Sequence, residues 1–181
     1  AWYERGIRRY GFHGISHQYC AERAAKLLGR DLAALRLVTA HLGNGCSLAA
    51  IAGGQSVDTT MGMTPLAGRV MGTRSGDLDP SILQLLADHE GMSLKALDEL
   101  LNKQSGLQGL CGDNDMRQVL QRLEAGDCRA EMALAVYTYR IKTYIGAYMA
   151  CLGHVDALIF TAGIGENPPV VRERSCQGLQ A

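Results

Sequence analysis

The chain has 181 residues, 18 Lys+Arg against 18 Asp+Glu, and 47% hydrophobic residues. That length can bury a real core, and the even charge excludes the basic surplus of a nucleic-acid or anionic-membrane protein. No apolar run approaches the ~18 residues of a membrane span, and the compositional oddity is 22 Gly against 4 Pro, eight of the glycines lying between Gly43 and Gly76.

Residues 16–28 read as a helix with Gly29 as its stop. Three strand-like runs follow, 37–42, 46–52 and 56–60, separated by Gly43-Asn44-Gly45 and Gly53-Gly54-Gln55. Asn-Gly between such runs predicts a hairpin whose turn needs positive φ, so the three runs form an antiparallel meander. Residues 61–76 are a glycine-spaced loop. Asp79 as N-cap and Pro80 at the first helical position open a helix to about His89. A second follows Ser93, with Leu94, Leu97 and Leu101 on one face, and a third starts near Asn114. Asp127 caps a long helix to about Leu152, apolar on most sides and expected to be central. The run 156–162 is a strand expected to be parallel and buried on both faces. Gly163-Ile164-Gly165 is expected as a tight turn, with Asn167 as N-cap and Pro168 opening a last helix. The fold class is α/β: a mixed sheet, the meander plus a parallel strand, with flanking helices.

Cys20, Cys46, Cys111, Cys128, Cys151 and Cys176 are scattered and include no C-x-x-C. They read as free thiols in a reducing, cytoplasmic compartment. Walker A, G-x-G-x-x-G, G-x-S-x-G and H-E-x-x-H are absent.

Five clusters could carry chemistry. His41-Leu42-Gly43-Asn44-Gly45-Cys46-Ser47 offers bare backbone N–H groups at a hairpin tip that can wrap a phosphate; the alternative is a plain turn. Arg74, in a Gly-rich loop, suits the oxygens of a transferring phosphoryl group, or it forms a surface ion pair with Asp77. His13 and His17 share a helix face at i, i+4. They could bind a metal or meet a phosphate, or simply stand at a helix start. Gly163-Ile164-Gly165, at the C-terminal end of a strand, lies where α/β folds bind ligands, or merely connects strand to helix. Asp113, Asn114 and Asp115 with Arg117 read first as helix capping. Together, two glycine turns, a loop Arg and a loop His without a P-loop point to phosphoryl transfer by a non-P-loop fold.

RRYGFHGISH (8–17), HLGNGCS (41–47), DTTMGMTPLAGRVMGTRSGDLDP (58–80) and FTAGIGEN (160–167) resemble, in order and spacing, the acetate/propionate kinase family. The resemblance implies an actin-like ATPase (ribonuclease H-like) domain that passes the ATP γ-phosphoryl group to a short carboxylate. It gives Arg74 and His13 catalytic roles. It places His41, Gly43, Asn44 and Gly45 at the phosphates, and Gly163, Ile164 and Gly165 at the adenosine with Asp115 and Arg117. Phe12 and Pro65 would line the acyl pocket. Ala67 stands where the family shows Glu, and Arg69 where it is usually apolar. The resemblance further implies that 1–181 is most of the second domain of a two-domain kinase, lacking the N-terminal domain and the last C-terminal segment. It also implies ATP/ADP, Mg²⁺ held by residues outside this segment, a homodimer, and no nucleic acid or membrane. Two alternatives stand beside it: a nucleotide-binding actin-like module without catalysis, and a propionate or butyrate kinase.

Overall fold

A computed structural model describes residues 1–179. Strands β1 (Arg36–Leu42), β2 (Cys46–Ala52), β3 (Gln55–Thr59) and β4 (Ala157–Thr161) form one sheet in the order β3-β2-β1-β4. β1 to β3 are antiparallel neighbours and β4 pairs parallel to β1, as expected. The helices are α1 (Gly14–Leu28), α2 (Ser81–Glu90), α3 (Leu94–Lys103), α4 (Gly106–Cys111), α5 (Met116–Glu124), α6 (Cys128–Leu152), α7 (Ala162–Glu166) and α8 (Pro169–Cys176).

Strand alternation divides the sheet into two faces. Val38, Ala40, Leu42, Cys46, Leu48 and Ala50 point to the α6 side and join the main core with Leu134, Tyr137, Ile141, Ile145 and Tyr148. Leu37, Ala49 and Ile51 point the other way, onto Ala21, Ala24 and Ala25 of α1. Towards the hairpin tip that second face turns polar: Thr39, His41 and Ser47 replace aliphatics, and His41 stands directly opposite Ser47.

Asp127 caps α6 by accepting the Arg129 and Ala130 N–H groups, and Gly29 ends α1 in the left-handed region. The Asp79 carboxylate accepts the Ser81 N–H at 2.9 Å and so caps α2, although Pro80 precedes the helix. The six cysteines are all free, and no described helix is long and apolar enough to cross a membrane.

Four expectations need correction. The tip 43–45 does not use positive φ; the left-handed pair is Gly53 and Gly54, between β2 and β3. Gly163-Ile164-Gly165 is not a tight turn but lies inside α7, and Asn167 caps the C-terminal end of that helix while α8 starts at Pro169. β4 is half-buried along its length, because it is an edge strand. α6 buries one stripe and leaves Met132 and Tyr139 exposed. Helix α4 was not anticipated.

Candidate active site

The tip between β1 and β2 is closed by Gly43 N–H donating to Gly45 O at 3.2 Å and by the Cys46 thiol donating to Gly43 O at 2.7 Å. Its glycines serve close approach instead of an unusual turn. A Cβ on Gly45 would lie 3.3 Å from Arg74 Nη1 and 3.8 Å from His13 Nε2, so both side chains converge on a bare Cα. The Arg74 loop is fastened to the tip by Gly72 N–H donating to Asn44 O at 3.1 Å.

Helix α4 holds that loop from behind. Leu107 N–H and Gln108 N–H, free donors of its first turn, reach Met71 O and Gly72 O, each at 2.9 Å. Arg74 is not paired with Asp77. The Asp77 carboxylate instead accepts from Gly68 N–H at 2.7 Å and from the Tyr144 hydroxyl, and lies 3.5 Å from Arg140. Among the described residues the guanidinium of Arg74 has only the Met71 sulfur, at 4.0 Å, as a side-chain partner. A half-buried cation so placed is available to an anion.

Histidines line the other wall. His13 caps α1 with φ 59, a left-handed conformation that histidine tolerates better than most residues. Its ring stacks on His41 with centroids 4.0 Å apart. His17, one turn later, is buried and bonds Thr39 Oγ1 and Ser47 Oγ, each at 2.7 Å. Ser47 Oγ also lies 2.8 Å from His13 Nδ1, and Ser16 Oγ is 2.9 Å from His41 Nδ1. Burial first, then neighbouring His41, Arg74 and Arg69, pushes His13 down to a pKa of about 4. Burial likewise lowers His17 to about 4, and lowers His41. All three rings are therefore neutral near pH 7.

Beside the tip opens a cavity of about 880 Å³, lined by Gly43, Asn44, Asp115, Arg117, Gly163 and Ile164 together with residues of α5 and the α7–α8 junction. Its size falls within the range of small-molecule sites. Asn114 reaches across to Asn44 Oδ1 at 3.3 Å.

A model of the acetokinase family matches residues 1–181. The chain belongs to the acetokinase family. It is 59% identical over 180 residues to an acetate kinase of Cyanothece sp., covering 99% of this chain and 44% of that one. With an acetate kinase of Sulfurovum sp. the identity is 54%, covering 98% and 45%. The crystal structure of Porphyromonas gingivalis acetate kinase superposes with a TM-score of 0.95 at 47% identity, covering 98% of this chain and 45% of that one. A propionate kinase from Francisella tularensis gives 0.93 at 46%, covering 97% and 45%. The chain thus spans under half the length of the curated relatives it matches.

Within this chain the anticipated residues fall into two groups. His13, His41, Gly45 and Arg74 meet at one corner beside the tip, and Gly43, Asn44, Asp115, Arg117, Gly163 and Ile164 line the cavity. Asp115 is also the N-cap of α5, and its carboxylate pairs with Arg117 at 2.6 Å, which holds the carboxyl below its usual range. Gly165 turns away from the cavity, against Phe160 and the Ala40 carbonyl. Phe12 lines a separate cavity of about 410 Å³ with Arg9, Tyr10 and Asp58, and Pro65 is not among its lining residues.

The sequence reading passed over Thr39, gave Ser47 no role beyond membership of the 41–47 cluster, and offered His17 as a metal or phosphate contact, whereas its ring is spent on Thr39 and Ser47. The signal was present: strand alternation sets Thr39, His41 and Ser47 on one face, and His17 continues the Ala21–Ala25 stripe of α1. It also left Arg69 without a role. That side chain is fully buried, its guanidinium 5.0 Å over the Tyr137 ring, with Nε and Nη2 lacking hydrogen-bond partners among the described residues.

Proposed function

We propose that this segment supplies the phosphoryl-transfer corner and much of the nucleotide site of a kinase that converts ATP and a short carboxylate into an acyl phosphate and ADP. The reading assigns 1–181 to the second domain of a longer, two-domain protein. The single observation that carries it is the convergence of Arg74 Nη1 and His13 Nε2 on the bare Cα of Gly45, beside a nucleotide-sized cavity.

The chemistry follows from the charges. A carboxylate oxygen attacks the γ-phosphorus, an O–P bond forms, and the bond to ADP breaks. The nucleophile is already anionic, so no proton has to be removed and no general base is needed. His13, neutral with its pKa near 4, then acts as a hydrogen-bond donor. Arg74 spreads its fork over phosphoryl oxygens whose charge develops during transfer. His41 and the glycine tip face the phosphates. Gly163, Ile164, Asp115 and Arg117 face the nucleoside, and Gly165 lets α7 approach β1. Phe12 and Pro65 are assigned to the acyl tail together with residues beyond this segment.

Mg²⁺ is the expected counter-ion of the nucleotide. Its protein ligands are assigned, on the family resemblance, to the rest of the full-length protein. A cytoplasmic homodimer is part of the same proposal. Exposed Trp2, Tyr3, Ile15 and Tyr19 supply apolar area for further interfaces.

The test is acyl-phosphate formation by the full-length protein from ATP with acetate, and in parallel with propionate. Arg74→Ala is expected to lower kcat by roughly 100-fold or more, the usual loss for one such donor. A rate within about tenfold of the parent overturns the assignment. Both acceptors are included because the solved kinases named for acetate and propionate match this chain equally well.

A further inference from the structure

The four polar side chains between α1 and the sheet form one continuous chain, Thr39 Oγ1 to His17 Nδ1, His17 Nε2 to Ser47 Oγ, and Ser47 Oγ to His13 Nδ1, at 2.7, 2.7 and 2.8 Å. Three of its members, Thr39, His17 and Ser47, are buried. We propose that Thr39, His17 and Ser47 are positioning residues whose hydrogen-bond chain holds His13 in the tautomer that presents Nε2–H to the transferring phosphoryl group. This rests on the phosphotransfer reading above and deepens it.

The direction of the chain follows from counting protons. Thr39 is fully buried, and among the described residues its hydroxyl has His17 as its only side-chain partner. A buried hydroxyl proton needs an acceptor, so Thr39 donates to His17 Nδ1. A neutral imidazole carries one N–H, which places the His17 proton on Nε2, donating to Ser47. Ser47 has a single proton and two acceptors within reach, His13 Nδ1 at 2.8 Å and the Phe12 carbonyl at 3.3 Å. The shorter contact lies in the normal hydroxyl range and the longer one outside it. His13 Nδ1 is then the acceptor, and its own proton must sit on Nε2, the nitrogen facing Gly45 and Arg74.

The result fits its surroundings. Arg74 can only donate, so the corner presents two donors to one anion. Ser16 Oγ lies 2.9 Å from His41 Nδ1, a contact that serves either tautomer of that stacked ring. A carbonyl on Nδ1, the usual partner of a structural histidine, would fix the opposite tautomer and leave Nε2 as a lone pair aimed at phosphate oxygens. The serine hydroxyl avoids that repulsion.

The decisive measurement is ¹⁵N NMR of the histidine rings in the full-length wild-type protein at neutral pH. The expected spectrum shows His13 and His17 neutral and both protonated at Nε2. A His13 ring protonated at Nδ1 overturns the proposal, whatever the activity. Kinetics supply the second arm. Ser47→Ala is expected to lower kcat about tenfold or more with the KM for ATP changed less than about threefold, because a biased donor is lost only in the transition state. Ser47→Thr, and at the far end Thr39→Ser after Thr39→Val, are expected to restore both the rate and the tautomer. A Ser47→Ala protein with unchanged kcat overturns the positioning role. Failure of the wild type to form an acyl phosphate would instead sink the phosphotransfer reading, while the NMR tautomer would still report on the chain.

Discussion

His17 is 5% exposed, and burial holds its pKa at about 4 against an ordinary 6.5. The unfolded ring binds a proton that the folded ring refuses between those two values. Stability is therefore complete above pH 6.5, falls as the pH drops towards 4, and loses nothing more from this group below it. The loss from His17 is on the order of 3 kcal/mol, and His13 adds a smaller share because its ring is half-exposed. Carboxylates with lowered pKa, such as Asp127 and Asp156, act only at more acid pH, so the window from 6.5 to 5 isolates the histidines. Urea midpoints across that window should decline; a flat profile would remove the buried neutral pair. Arg69 is the second residue-scale case. Its ring contact with Tyr137 is set against two buried nitrogens, Nε and Nη2, without hydrogen-bond partners among the described residues. Each such orphan costs about 1–3 kcal/mol, while a desolvated cation–π contact returns about 2. Arg69→Met fills a similar linear space and is expected to raise stability by roughly 1–3 kcal/mol. A destabilised variant would show that the ring contact outweighs the orphans.

Elements decide whether the His13–Arg74 corner exists at all, and their legibility differed for physical reasons. α1, α6 and the meander were readable because each carries its own signal: Gly29, the Asp127 cap, the glycine-separated strand runs. α4 has six residues, two of them glycine, which is too short for a period to show. Its place is set by the carbonyls of the Arg74 loop, which no local pattern in 106–111 announces. α7 was hidden similarly, since its Gly-x-Gly content reads as a turn until β1 packs against Gly165. Gly106 tests the α4 junction. It sits at φ 63, and a Cβ there would meet Met71 O at 2.2 Å, Arg74 O at 2.9 Å and Gly72 O at 3.0 Å. Backbone cannot step aside, so Gly106→Ala is expected to destabilise by several kcal/mol, on the order of 3–5. Gly72→Ala makes the contrast. Its Cβ would fall 1.9 Å from Asn44 Oδ1, the end of a side chain. That amide can swing away, breaking its bond with Asn114. The expected outcome is nucleotide affinity weakened about tenfold with a near-normal melting temperature, since a neutral hydrogen bond is worth about 1 kcal/mol. A melting temperature that collapses as in Gly106→Ala would contradict this separation of roles.

At the scale of the molecule, the sheet separates two tasks. Its α6 face is apolar and carries the core, while its α1 face turns polar only at the end nearest the tip, where Thr39, His41 and Ser47 meet His13 and His17. The site's residue types and motifs were legible because glycine, Arg and His clusters are local. Their assembly was not, because 43–44, 114–117 and 163–164 come together only through the path of α6 and the parallel return of β4 to β1. That assembly makes a measurable demand. If the cavity of about 880 Å³ is one nucleotide site, ADP must rigidify all three stretches together in the full-length protein. Hydrogen exchange should then slow in parallel at the Gly43 to Gly45 amides, at Asn114 to Arg117 and at Gly163 to Ile164. At 100 times Kd the site contributes about 2.7 kcal/mol, which would slow exchange up to roughly 100-fold where the bound state must open first. Phosphate alone should protect the tip and leave the other two stretches unchanged. Protection by ADP confined to the tip would show that the nucleoside lies elsewhere, and that Asp115, Arg117 and Ile164 line a cavity the nucleotide does not enter.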